Sequence, residues 1–271
     1  MRRNSSNTAT SLDEPTERDA MLYLSDLKPT GIQRRAAAPE TPDWAQRFAE
    51  LAETARDPRL RAFYAQGMPS GDSLLQDVPM AALDVETTGL DPMRDGIVSI
   101  GVVPMTLALI QSSASRYWVV HPKVELTPES VAIHAITHAQ IETAPDLDAI
   151  LGELLQALAG RVVVVHCRGI ERGFLDVALK TRIGEGIEFP VIDTMELEAR
   201  LHRKRPSLLT LLLGRRRRPV SIRLAQSRAR YRLPRYRAHH ALTDALASAE
   251  LLQAQVAHRF SPQTPLRALW L

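Results

Sequence analysis

The run Leu83-Asp84-Val85-Glu86-Thr87-Thr88-Gly89 places two carboxylates one residue apart in an apolar stretch, directly ahead of a Thr-Thr-Gly turn. Along an extended chain alternate side chains share a face, so Asp84 and Glu86 point the same way. Adjacent carboxylates repel and resist dehydration, and burying both calls for a cation. A hard divalent ion such as Mg²⁺ or Mn²⁺, which takes oxygen ligands, meets that need. Taken alone, the pair also suits a solvated strand edge. What shifts that balance lies in two distant stretches, VVVVHCRGIERGFL (162–175) and HHALTDALA (239–247), the second opening on the adjacent histidines His239 and His240. Histidine titrates near neutral pH and is the usual group to take a proton from an attacking water. Helical spacing by itself favours His240, which precedes Asp244 by one turn. Four further histidines, His121, His138, His202 and His258, show no metal-ligand spacing, and with one cysteine no zinc site can be assembled. Phosphate-cradling glycine loops, serine triads and dinucleotide fingerprints are missing from the sequence.

These residues must be held by a sheet and its covering helices. VPMAALDVE (78–86), GIVSIGVVPM (96–105) and SRYWVVHP (115–122) read as three strands joined by short turns, hence an antiparallel meander. A helical region is expected over about 127–160, and RVVVVH (161–166) then reads as a strand buried on both faces. Helix over 168–183, a short strand at 190–194 and a long helix over 241–259 complete the pattern. The expected fold class is α/β: a mixed sheet of three antiparallel strands followed by parallel ones, flanked by helices. Ahead of it, residues 1–20 are polar and aperiodic and read as a disordered tail, while 21–77 read as a helical N-terminal extension. In that extension Trp44, Phe48, Leu51 and Ala52, then Leu60, Phe63 and Tyr64 beyond Asp57-Pro58, predict two short helices. The main domain is expected over 78–258, with a C-terminal tail over 259–271.

Composition narrows the function. Of 271 residues, 45% are hydrophobic, 24% charged and 5% aromatic, which suits a globular protein. The single cysteine excludes an internal disulfide framework, and no apolar segment follows Arg2 and Arg3, so a reducing, cytoplasmic setting is expected. The longest apolar runs fall far short of the roughly 20 residues that a membrane span needs, so no membrane association is expected. Charge is uneven: thirteen Lys or Arg lie between Arg203 and Arg237 with no Asp or Glu among them. Such a run attracts polyanions through counterion release, although a solvated basic face is the plainer account. Tyr231 and Tyr236 lie within it and could either stack on bases or pack inward.

Taken together, LDVETTGLDP (83–92), VVVVHCRGIERGFL (162–175) and HHALTDALA (239–247) resemble the three ordered motifs of the DEDDh (DnaQ-like) 3′→5′ exonucleases, a ribonuclease H-like family. ESVAIHAITHAQIETAPDL (129–147) is similar to that family's His-Gly-Ile-Thr region and VIDTMELEARL (191–201) to its Asp-Thr strand, so the resemblance covers about residues 78–257. It implies two Mg²⁺ or Mn²⁺ ions held by Asp84, Glu86, Glu171 and Asp244, with Asp84 bridging both. It also implies His239 as the base, provided it lies in the loop just before the last helix. Thr87, Thr88, Gly89 and Leu90 would meet the terminal nucleotide, and His134 would line its pocket. Glu171 stands where the family usually has Asp, and Cys167 where it usually has Asn. The implied activity is two-metal hydrolysis at nucleic-acid 3′ ends, single-stranded and DNA more than RNA, releasing nucleoside 5′-monophosphates. The alternatives are a nucleic-acid-binding module in which the changes at Glu171 and Cys167 have disabled cleavage, and a proofreading subunit held by a DNA polymerase. A homodimer is the other partnership the sequence leaves open.

Overall fold

Strand β1 (Met80–Thr87) is buried along almost its whole length, with only Asp84 and Thr87 partly open. It runs antiparallel to β2 (Ile97–Met105), which in turn runs antiparallel to β3 (Arg116–Val119). On the other side it pairs in parallel with β4 (Val162–Val165), and β4 pairs in parallel with β5 (Val191–Asp193). The computed structural model describes residues 41–124, 138–202 and 220–271, and among these the sheet order is β3-β2-β1-β4-β5. All four valines of β4 are buried, as a strand covered on both faces requires. The mixed, ribonuclease H-like sheet expected from the sequence is therefore present.

The two helices ahead of the sheet form where capping chemistry puts them. Asp43 accepts the N–H groups of Ala45 and Gln46 to start α1 (Trp44–Thr54), and Asp57 caps α2 (Pro58–Ala65), whose first position is a proline. Phe48 packs between Phe63 and Tyr64, with ring centroids 5.4 and 5.1 Å away, and all three belong to the same apolar core as the sheet. The helical region expected over 127–160 is two helices where it is described, α3 (His138–Glu142) and α4 (Leu147–Leu158). Pro145 and the cap Asp146, which accepts the Asp148 N–H, separate them. The remaining helices are α5 (Arg168–Ile183), α6 (Thr194–His202), α7 (Leu224–Arg230) and α8 (Ala241–Arg259). Among the described residues no helix is long and apolar enough to cross a membrane.

Residues 259–271 were expected to trail from the domain, and they are folded onto it instead. Leu266, Leu269 and Trp270 are buried, and Leu271 exchanges backbone hydrogen bonds with Val191, extending the sheet beyond β5. Three large apolar side chains over five residues give the segment enough area to bury that it does not stay in solvent.

α8 lies across β1 and β2, and one position permits that approach. Gly101 on β2 has the backbone of Ala241 and Leu242 where a side chain would be, so a Cβ would overlap the Ala241 carbonyl group and the Leu242 nitrogen. Backbone on both sides leaves nothing flexible to move aside. Gly101→Ala is expected to cost about 1–3 kcal/mol of stability, as overpacking of a filled interior does. Urea unfolding of the two proteins measures it.

Candidate active site

The close packing at Gly101 brings a helix start onto a pair of acids. Asp84 is paired with Gly101 and Glu86 with Ser99 in the β1–β2 register, and directly opposed residues share a face. Both carboxylates therefore face the N-terminus of α8, whose first turn carries Asp244. The register slips between Glu86 and Thr87, a bulge of the kind that turns side chains at the end of a strand. Oxygens from Asp84, Glu86 and Asp244 lie within 4.8 Å of one another. Burial raises the Asp84 pKa well above the carboxylate range, and the charges of Glu86, Glu171 and Asp244 raise it further. Asp244 is raised chiefly by burial and also by Glu86, against the opposing pull of the His239 amide.

The fourth predicted carboxylate, Glu171, stands beside this cluster and outside its 4.8 Å circle. It is in the first turn of α5 and only 2% exposed, and its Oε2 is buried without a hydrogen bond among the described residues. Burial pushes its pKa up to about 8, and the nearby charge of Asp193 acts the same way. Cys167, at the cap of α5, makes no side-chain capping bond, and burial raises its thiol to about 11. Asp193 takes over the cap: its Oδ2 accepts the Arg168 N–H at 3.1 Å while its Oδ1 accepts the N–H groups of Met195 and Glu196 at the start of α6. One carboxylate thus starts two helices. Asp193 was legible only as part of an Asp-Thr strand, because the helix it caps begins 25 residues earlier.

An all-oxygen donor set of mutually repelling carboxyl groups beside an orphaned glutamate oxygen fits hard divalent cations. Asp84, Glu86 and Asp244 are grouped closely enough to hold such an ion.

His239 is exposed in the loop just before α8, the condition on which its role depended. Its backbone takes the left-handed φ of 67°, uncommon for a non-glycine residue, and its N–H donates to Asp244 Oδ2 at 2.8 Å. His240, the N-cap of α8, is half-buried with its ring stacked on Tyr117. His134 lies outside the described residues, as do residues 203–219 of the basic run.

The loop after β1 is closed on itself. Thr87 Oγ1 donates to the Gly89 carbonyl, Thr88 Oγ1 donates to Asp95 Oδ1 and accepts the Gly96 N–H, and the Thr88 N–H donates to the Gly96 carbonyl. Both threonine hydroxyls are therefore occupied within the loop. Asp95, which the sequence reading missed, also accepts the Asp91 N–H and fills the space where a Gly89 side chain would go. Within the described part of the basic run, Arg228 pairs with Glu250, and Arg230 with Glu198. Tyr231 and Tyr236 bond Glu198 and Glu250 in turn, so these four side chains hold the fold together. Arg232, Arg235 and Arg237 are exposed just before His239. His166 is structural: its ring nitrogens meet Thr194 Oγ1 at 2.8 Å and the Ile222 carbonyl at 3.1 Å, and burial lowers its pKa to about 4.

Comparison with known proteins converges on this region. The RNase_T family model, described as exonuclease, matches residues 81–252. The PolC-type DNA polymerase III of Thermotoga maritima is 33% identical over 128 residues, covering 47% of this chain and 9% of that protein. Its counterpart in Clostridium perfringens is 28% identical over 177 residues, 65% of this chain and 11% of that protein. The chain thus spans about a tenth of these relatives. Among solved structures, the nuclease domain of 3′hExo, a DEDDh family member bound to rAMP, aligns with a TM-score of 0.56 at 14% identity, covering 69% of this chain and 95% of that one. Exonuclease X in complex with 5′ overhanging duplex DNA aligns at 0.51 and 21% identity, covering 69% and 97%. At these identities the two structures share the fold.

The raised carboxyl pKa values have a measurable consequence. Glu171 titrates near 4.5 when solvated and near 8 when folded, so between those values the native state holds the extra proton. Stability of the metal-free protein must then fall as pH rises through that window and level off above it. In EDTA the melting temperature is expected to drop between about pH 5 and pH 8, by roughly 2–4 °C for each kcal/mol lost. Mn²⁺ should raise it more at the higher pH, and Glu171→Gln should flatten the profile. Differential scanning fluorimetry across pH measures all three.

Proposed function

Since the chain belongs to the RNase_T exonuclease family, we propose that it is a divalent-metal-dependent 3′→5′ exonuclease that releases nucleoside 5′-monophosphates from nucleic-acid 3′ ends. The observation that carries this reading is the convergence of Asp84, Glu86 and Asp244 from two strand positions and a distant helix within 4.8 Å. Divalent cations, when bound, would supply Lewis acidity toward the phosphate and make a water easier to deprotonate. The protein's own share is positional. Asp84, Glu86 and Asp244 fix where the reacting phosphate must sit, and Glu171 gives α5 a carboxylate on the same side. His239, exposed and tied through its amide to Asp244, takes the proton from the attacking water. The loop closed by Thr88 and Asp95 presents Gly89 and Leu90 to the terminal nucleotide. Arg232, Arg235 and Arg237 lead the phosphate backbone toward His239, so binding should weaken with salt.

DNA is the first substrate to test, because the PolC-type relatives are DNA polymerases and Exonuclease X was solved on a DNA duplex. The same relatives favour a polymerase as partner, and retention of the chain on an immobilised replicative polymerase tests that. Matched 5′-labelled DNA and RNA oligomers incubated with Mg²⁺ or Mn²⁺ should give a ladder that shortens from the 3′ end. Asp84→Asn should abolish cleavage, and His239→Ala should lower kcat by about 10²–10⁴, the range for a lost general base. Binding of the oligomers without cleavage by the wild type in either metal would make the chain a binding module.

A further inference from the structure

We propose that His240 is a positioning residue, whose ring, clamped against Tyr117, holds the neighbouring His239 in its left-handed turn over the acidic cluster. The inference rests on the reading of His239 as the group that faces the reacting water. Three contacts converge on these two residues. From one side, Asp244 accepts the His239 N–H at 2.8 Å and donates its own N–H to the His240 carbonyl at 2.9 Å. From behind, the Ala241–Leu242 backbone lies directly on Gly101, so α8 cannot shift inward. From the third side, the His240 ring lies on the Tyr117 ring with centroids 4.7 Å apart and planes inclined by only 16°. Tyr117 is the register partner of Gly101 on β3, so the stack ties the helix cap to the edge of the same sheet that carries the acids.

The stack is what locks the turn. His240 caps α8 without a side-chain capping bond, and its Nδ1 is buried with no hydrogen bond among the described residues. The ring is therefore held by its face. His239 is in a conformation that non-glycine residues adopt only when their surroundings enforce it, and its side chain is exposed. Without the stack one of the three restraints on that backbone is gone, and the exposed ring of His239 would swing away from the acids. An aromatic ring of any kind at position 240 would serve, because the contact uses area and orientation and needs no proton.

Amide-exchange NMR of the metal-free protein reads the turn without reference to turnover. In His240→Ala the His239 amide is expected to exchange about 3- to 10-fold faster, the equivalent of one lost aromatic pair, and His240→Phe should restore the wild-type rate. Tyr117→Leu should reproduce the alanine effect from the opposite side, while Tyr117→Phe should not. Turnover on a labelled oligomer should follow the same order, with kcat falling and KM unchanged. An unchanged His239 amide in both His240→Ala and Tyr117→Leu would overturn the inference, as would a His240→Phe protein as impaired as the alanine variant. If wild-type exchange behaves as described and no variant or wild type cleaves nucleic acid, the clamp stands and the exonuclease reading falls.

Discussion

Mutual repulsion of carboxylates is the constraint around which this molecule is built. Asp84 and Glu86 are one strand-repeat apart, Asp244 arrives from a helix start, and Glu171 lies near enough for its charge to be felt at Asp84. Left to themselves these groups would spread. They stay together because the elements carrying them are fixed by apolar packing: β1 is buried at every residue but Asp84 and Thr87, and α8 presses its backbone on Gly101. Hydrophobic burial of the scaffold thus offsets an electrostatic cost concentrated at one end of it. Helix α5 is braced in the same way from the side away from the acids. Arg172 lies between the rings of Trp44 and Phe189 and donates to the carbonyls of Phe189 and Leu271, so the helices ahead of the sheet and the segment after it meet at the residue next to Glu171.

Hydrogen bonding does the finer placement. Asp193 caps α5 in place of Cys167 and caps α6 as well, which ties the two helices to the end of one strand. Asp95 performs a similar task for the loop after β1, where it organises Thr88, Asp91 and Gly89. Behind them Glu198, with no exposed side-chain surface, is surrounded by Arg230, Tyr231 and Gln255, which hold its pKa below the usual range despite burial. Part of the basic run is accordingly interior structure, while Arg232, Arg235 and Arg237, nearest His239, are exposed.

Much of this was legible in the sequence wherever the signal was local. The valine run of β4, the alternation around Asp84 and Glu86, the Asp57-Pro58 break and the long α8 all carry their own periodicity or caps, and the structure has them close to the expected places. What escaped depends on partners far along the chain. Nothing near Arg228 or Arg230 announces Glu250 and Glu198, the cap supplied by Asp193 acts across 25 residues, and Gly101 matters only because Ala241 and Leu242 come to rest on it. The apolar residues at 266–270 were visible, yet no periodicity tied them to β5. The two histidines posed the sharpest case: spacing on an ideal helix pointed to His240, whereas the helix begins one residue later and leaves His240 as its cap, with the ring on Tyr117.

The closing segment has one more effect. Because Leu271 pairs with Val191 through both its N–H and its carbonyl, the outer side of β5 is already occupied, and the opposite rim is only the four residues of β3. Open rims recruit strands from other molecules, which is how sheet proteins polymerise. Unpairing of Leu271 from Val191 would bare a valine-isoleucine strand, so residues 266–271 shield a sheet edge as well as fill the core.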